Sequence, residues 1–352
     1  MLILLAAGCG GTGETGAGQA PAAIAQAAPA VVALASPATA PPLSPPAASA
    51  TPLPTSLAPT ATAAPTEPAP TAMPTTDERL PLNRTLNILI LGSDRRPSEP
   101  NWRTDVMMIV ALDLQEQRAG IISIPRDVYL DAIPNHRPNR INVLDYLGEQ
   151  DEPNGGGPKL IMQIIEQRLK ISIDHYLRFD FNSFQKAVDA LGGVQIEVDC
   201  PFYDAPAPNQ IVKLDPGPHR LSGAEALRYV RHRKIGGDLD RARRQQRFVW
   251  AVRNQILDEN LLPRIPALYG ALVDSIQTDI GIVNALRIVR FALGVKGADV
   301  HGFVIAPPNL VTEGWRQGMF VFIPDWPAIA DAVQRIFDRA PFTETNTPTR
   351  CP

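Results

Sequence analysis

The sequence predicts an α/β protein with one folded domain, a central mixed β-sheet flanked by helices. Two observations carry that prediction. Beyond Asp77, apolar runs with strand character alternate with segments of helical periodicity. Before it, nothing can be buried: residues 10–76 hold 14 of the 36 prolines, no Lys or Arg, and only Glu14 and Glu67 as charges. Such a stretch lacks the apolar side chains that would offset the entropy of ordering its backbone. The 352 residues therefore divide into an apolar segment at 1–9, a disordered Pro/Thr/Ala-rich linker at 10–76, one domain at 77–340 and a tail at 341–352.

The elements follow in order. Residues 86–91 form a fully apolar run ending at Gly92, and residues 106–112 and 121–124 are two more β-rich runs, of the kind covered on both faces. Leu160, Ile161, Ile164, Ile165 and Leu169 have helical spacing, with Gly157-Pro158 as the break before them. Residues 175–181 read as a strand, 184–191 as a short helix closed by Gly192-Gly193, and 194–198 as a further strand. Ser222 and Glu225 have the spacing of a capping box and start the helix carrying Leu227 and Tyr229. After Gly236-Gly237, residues 240–259 form a long helix with Phe248, Val252 and Ile256 on one core-facing side. Helices near 265–273, 282–293 and 326–337 and strands near 302–305 and 319–323 complete the domain.

Charge and hydropathy exclude two classes. The chain carries 33 Lys and Arg against 36 Asp and Glu, without the positive excess of a general nucleic-acid binder. No apolar run reaches the roughly 18 residues a membrane-spanning helix needs. Residues 1–9, MLILLAAGC, instead resemble the tail of a bacterial lipoprotein signal with cleavage before Cys9, although no basic residue precedes the run and Leu5 sits one place too far from the Cys. The alternative is a frayed apolar N-terminus. With Cys9 lipidated, Cys200 and Cys351 remain as an even pair, open either to a disulfide in an oxidising compartment or to two thiols.

Two groups of residues carry chemistry. Asp94 follows the first strand in GSDRR and Asp105 precedes the second in RTDVMM, so both carboxylates lie at strand ends. A carboxylate pair there suits a hard cation such as Mg²⁺, with phosphate oxygens and water completing the shell. Alternatively the two are turn residues paired to Arg96 and Arg103. The second group is basic: eight Lys and Arg lie between Arg228 and Arg247, against Asp238 and Asp240. Arg231 and Arg233, two apart, point the same way if the chain leaving the helix is extended. Arg241, Arg244 and Gln245 share a helical face near a helix N-terminus, where unpaired N–H groups favour anions. Converging guanidinium forks describe a phosphate site, which Arg126 in SIPRD could also reach; the alternative is a solvated charged face.

The order GSDRR, RTD, SIPRD, RINVLDYLG, IDHY, VDALGGV, LSGAEALRYVRHR and DLDRARRQQ, over roughly residues 87–246, resembles the LytR-CpsA-Psr family of bacterial cell-wall enzymes. The resemblance implies a phosphotransferase that moves a glycopolymer from a polyprenyl diphosphate carrier to the C6 hydroxyl of muramic acid in peptidoglycan, forming a phosphodiester. It implies that Asp94 and Asp105 hold Mg²⁺ against the diphosphate, that Arg126, Arg231, Arg233, Arg241 and Gln245 bind its oxygens, and that the lipid lies in an apolar tunnel. Arg96, Arg103, Asn142 and Arg244 join the diphosphate-binding candidates, and Asp94 is the candidate base. The chain departs from the pattern at Arg140-Ile141-Asn142-Val143-Leu144, where K-I-N-H-A is common, and at Val106, where Thr is usual. The expected location is extracytoplasmic, anchored at the membrane surface through Cys9, with peptidoglycan and the lipid-linked glycan as partners and no nucleic acid. Rival readings are a polyprenyl diphosphatase using the same site with water as acceptor, and a silent lipid-binding or transcription-attenuating protein.

Overall fold

The computed structural model describes residues 81–96, 99–205, 211–234, 236–272, 276–346 and 351. The segment with Cys9, the Pro/Thr/Ala-rich stretch and part of the tail lie outside the described residues. Strands β1 (Leu86–Ser93), β2 (Thr104–Asp113) and β3 (Arg118–Ser123) form an antiparallel meander. A two-stranded ribbon, β4 (Tyr129–Leu130) and β5 (Asn139–Arg140), leads into helices α1 (Leu144–Asp151) and α2 (Gly156–Leu169). Strand β6 (His175–Phe179) then lies parallel to β1, followed by α3 (Phe181–Ala190) and β7 (Val194–Val198). Strands β8 (Phe202–Asp204) and β9 (Val212–Leu214) pair with each other, and β10 (Gly217–Leu221) pairs with β7. Helices α4 (Gly223–Arg231), α5 (Gly237–Asp258) and α6 (Ile265–Leu272) precede β11 (Gln277–Thr278) and α7 (Ile282–Gly294). The chain closes with β12 (Val300–Val304) parallel to β3, the hairpin β13 (Val311–Arg316) and β14 (Met319–Pro324), and helices α8 (Trp326–Gln334) and α9 (Phe342–Thr345).

The central sheet is mixed, in the order β11-β6-β1-β2-β3-β12, and helices cover it. Alternation along the strands sends Leu89, Leu91, Met107, Ile109 and Ile122 to one face, where they pack on Ile161, Ile164 and Ile165 of α2 and Ile329 and Val333 of α8. Ile88, Met108, Leu112 and Ile121 point the other way, towards Val249 and Trp250 of α5 and Ile288 of α7. Burying one such side chain contributes roughly 1.5–3 kcal/mol, so the sheet is fixed in register by both layers.

Several boundaries differ from the sequence reading. Helix α2 starts at Gly156, so Pro158 sits in its first turn, where a missing N–H costs nothing, rather than forming the break before it. Helix α1 was not anticipated. It crosses α2 so closely that a Cβ on Gly148 would lie 2.2 Å from the Gly156 carbonyl oxygen. The strand expected to reach residue 181 ends at Phe179 because Asp180 and Ser183 cap α3 reciprocally. Ser222 and Glu225 form the expected capping box on α4. Cys200 and Cys351 are joined as a disulfide with a Cα separation of 5.4 Å, which ties the end of the chain to the segment after β7.

Candidate active site

The two acidic candidates both lie at the loop end of the β1–β2 hairpin. Pairing runs Gly92 with Val106 and then Ser93 with Thr104, leaving Asp105 as the extra residue of a bulge. A bulge turns a side chain away from the regular alternation, and here the side chain is a carboxylate. Asp94 closes the connecting loop: its N–H donates to the Arg103 carbonyl at 2.9 Å, and its carboxylate accepts the Arg103 N–H. The loop is also held from below, since the Trp102 indole donates to Asp145 at 2.7 Å and Asp145 accepts from Arg178 at 3.0 Å.

Asp105 accepts from Arg126 at 2.8 Å. The same guanidinium lies 3.5 Å from Asp127 and 3.9 Å from Asp238. Arg241, which opens the second turn of α5, pairs with Asp238 at 2.8 Å and donates to the Asp105 carbonyl at 3.2 Å. Burial pulls Arg126 down, but Asp105, Asp127 and Asp238 together hold it above the ordinary guanidinium value. Arg241 is lowered by burial, with Asp238 opposing, and Asp238 is raised by burial, with Arg241 and Arg126 opposing. Positive charge is thus favoured at Arg126 by three carboxylates, whereas at Arg241 it is costly and would be eased by an incoming anion.

Arg231 ends α4 and lays its guanidinium 3.9 Å from the Phe181 ring centroid. Burial lowers it, Asp105 and Asp94 oppose the shift, and Arg96 and Arg233 reinforce it, so these five charges share one region. Arg96 pairs with Glu99 and lies 5.7 Å from the same Phe181 ring. The proposed pairing of the two aspartates to Arg96 and Arg103 side chains is therefore not what forms: Asp105 takes Arg126 and Asp94 takes the Arg103 main chain. Arg244 is a correction of another kind. It pairs with Asp240 at 3.0 Å, donates to the His232 carbonyl, and faces the Phe202 and Tyr229 rings, away from the cluster. At 100° per residue it falls well around the helix from Gln245, which faces inward and donates to the Val230 carbonyl at 3.0 Å. Asn142 is buried in the 3₁₀ turn Ile141–Val143, directly after Arg140. Asp127, Asp238 and Arg140, which reaches Asp127 at 3.1 Å, belong to the network but escaped the sequence reading. Asp127 directly follows Arg126, Asp238 lies one helical turn before Arg241, and Arg140 opens the segment that holds Asn142.

A cavity of about 320 Å³ lies against this cluster. Asp105, Arg231, Arg241 and Gln245 line its polar part, and β1, β2, β6, α3, α4 and α5 supply an otherwise apolar wall that includes Met108, Leu177, Phe184, Leu227 and Val252. The stripe of α5 read as core does face the interior: Phe248 is buried in a core cluster with Val188, Leu221 and Val230, Val252 packs against it, and both also border this space. Among the described residues no group of three His, Cys, Asp or Glu side chains could hold a metal ion. Asp94 and Asp105 both act on the charge of Arg231, and their carboxylates accept from the Arg103 N–H and from Arg126 respectively. Among the described residues no helix is long and apolar enough to cross a membrane.

Comparison with known proteins agrees with this geometry. Regulatory protein MsrR of Staphylococcus aureus strain Mu50 is 32% identical over 228 residues, 64% of this chain and 65% of its own. The chain thus spans about two-thirds of that relative's length. A polyisoprenyl-teichoic acid–peptidoglycan teichoic acid transferase, TagU of Oceanobacillus iheyensis, is 31% identical over 197 residues, 55% of this chain and 59% of its own. The fold matches the crystal structure of Bacillus subtilis TagV with a TM-score of 0.59 and 23% identity, covering 74% of this chain and 99% of that one. It also matches TagT bound to LI-WTA with a TM-score of 0.55 and 23% identity, covering 75% and 95%. Residues 60–336 match the LytR_cpsA_psr family over most of the chain, and the protein belongs to that family.

Proposed function

We propose that this protein transfers a glycopolymer from a polyprenyl diphosphate carrier to a peptidoglycan hydroxyl, forming a phosphodiester. The observation that carries the reading is the continuity of the charged cluster with the apolar cavity: Asp105, Arg231 and Arg241 line the same space as Leu177, Phe184 and Val252. A site with one end charged and the other apolar suits an amphiphile with a phosphate head. TagU's transferase name supports the same reaction class.

In this reading Arg126, Arg231, Arg233 and Arg241 grip diphosphate oxygens, with Arg96 and Arg103 at the loop edge and Asn142 and Gln245 as neutral partners. Asp94 and Asp105 would hold Mg²⁺, which supplies positive charge against the developing phosphate charge. Displacement by the diphosphate would release Arg126 from Asp105, and the fixed charges would stabilise the transition state without reorganisation. Asp94, whose carboxylate accepts the Arg103 N–H, would accept the acceptor's proton. The acceptor oxygen bonds the sugar-side phosphorus, the bond to the bridging oxygen breaks, and polyprenyl monophosphate leaves. The Cys200–Cys351 disulfide suits an oxidising, extracytoplasmic setting, and a lipidated Cys9 would tether the domain to the membrane face.

The test is incubation with Mg²⁺, a polyprenyl-diphosphate-linked saccharide and a peptidoglycan oligomer, read by mass spectrometry. The expected products are a phosphodiester-linked conjugate and polyprenyl monophosphate. Release of the saccharide 1-phosphate alone, with the oligomer untouched, would make the protein a diphosphatase instead.

A further inference from the structure

Trp315 is 68% exposed, near the tip of the β13–β14 hairpin. The hairpin is built to hold it there. Trp315 sits directly across from Phe320, with ring centroids 6.1 Å apart and nearly perpendicular planes. Phe320 meets Phe322 in the same manner at 5.7 Å, and Phe322 is 6% exposed. An aromatic stripe therefore runs from the core to solvent along one face of the ribbon.

The stripe is fastened to the charged cluster. The Phe322 N–H donates to the Asp127 carbonyl at 2.9 Å, one residue beyond Arg126. Arg140 bridges the two parts, pairing with Asp127 at 3.1 Å and donating to the Phe320 carbonyl at 2.6 Å. Trp315 pairs with a residue two positions along β14 from Phe322, which places it about 7 Å further along the strand. The Trp315 rim is polar: Glu313, Arg316 and Gln317 are exposed beside it.

We propose that Trp315, braced by Phe320, is a stacking platform for a pyranose unit of the glycan handled at this site, a specificity subsite outside the diphosphate cluster. This deepens the transferase reading and rests on it. A sugar ring offers an apolar C–H face to the indole and hydroxyl or amide groups to a polar rim. A membrane surface would call for a broad apolar patch, whereas the exposed residues beside Trp315 include Glu313, Arg316 and Gln317. Because the indole is already fixed by its cross-strand partner, binding costs little ordering of the protein.

The experiment uses the whole chain and three variants, Trp315→Ala, Trp315→Phe and Phe320→Ala, with indole fluorescence and calorimetry as readouts. The probes are chitotetraose, a muropeptide disaccharide, a soluble lipid-linked disaccharide diphosphate, farnesyl diphosphate, and vesicles of 30% phosphatidylglycerol in phosphatidylcholine. At least one sugar probe should bind, about tenfold more weakly to Trp315→Ala, and in part restored by Phe. The muropeptide and the lipid-linked sugar distinguish an acceptor from a donor subsite. Farnesyl diphosphate should bind the wild type and Trp315→Ala equally; its failure to bind the wild type would count against the transferase reading and leave the sugar titrations to judge the platform. Trp315 is exposed, so its variants fold, and Phe320→Ala, checked by thermal unfolding, should weaken sugar binding through loss of the brace. Equal sugar affinity in wild type and Trp315→Ala, no sugar binding at millimolar concentration, or vesicle binding that disappears in Trp315→Ala would overturn the proposal.

Discussion

Replacing Arg178 by Met should unfold this protein more readily than almost any exposed charge deletion, and the loss should fade as pH falls. Arg178 is 4% exposed on β6 and holds two carboxylates at once, Asp145 at 3.0 Å and Glu149 at 2.8 Å. Asp145 is fully buried and would keep only the Trp102 indole N–H, whereas Glu149 would keep the N–H groups of Asn154 and Gly155. Burial already holds Asp145 above the usual carboxylate range against the pull of Arg178. Burial also pushes Glu149 up, yet Arg178 and the backbone donors bring it below its usual value. Removing one member of such a buried group costs about 3–5 kcal/mol because the remaining charge is stranded. For a domain of this size that is roughly 10 °C in Tm. The pH signature has a definite sign. Without Arg178 the fully buried Asp145 is held further above its unfolded value, so the folded variant binds its proton more tightly than the unfolded chain does. The variant therefore regains stability relative to the wild type as pH drops through that raised value, and the deficit is largest at neutral pH. Urea unfolding followed by circular dichroism at pH 7.5 and pH 5 measures it, with Arg335→Gln, from an exposed pair, as the near-silent control. A loss below about 1 kcal/mol, or one independent of pH, would refute the stranded-charge argument.

Two further outcomes test the site. Arg231→Ala should lower transfer by on the order of 10²–10³ while leaving Tm nearly unchanged, with Lys restoring part of the rate, because an ammonium keeps the charge but not the fork; a large Tm drop with full activity in the cold would make the residue structural. Magnesium titrated calorimetrically into the free protein should give weak heat that strengthens with farnesyl diphosphate and is abolished in Asp105→Ala; undiminished heat in that variant would remove Asp105 from the metal site.

The strands of the central sheet were legible because β1, β2 and β3 are apolar on both faces and their alternation has no competing period. The capping box of α4 was legible for a local reason, since Ser222 and Glu225 satisfy each other within one turn. The short ribbons β4–β5 and β8–β9 were not, because two or three residues carry no periodicity and form only where another segment offers a hydrogen-bonding edge. Pro158 misled because a proline is compatible with a helix only in its first turn, and which turn that is depends on how α1 packs beneath it.

The site divides in the same way. Residue types and order in SIPRD, YVRHR and DLDRARRQQ supplied the guanidinium groups and carboxylates of the proposed phosphate site. Tertiary structure alone decided the partners. The bulge that frees Asp105 from the sheet and the contact of Asp105 with Arg126 rather than Arg96 each depend on groups distant in the chain. The cavity is a feature of the same kind: Phe248 and Val252 have the spacing of a packed helix face, and a periodicity reports which side of a helix avoids water, not whether the space beside it is filled.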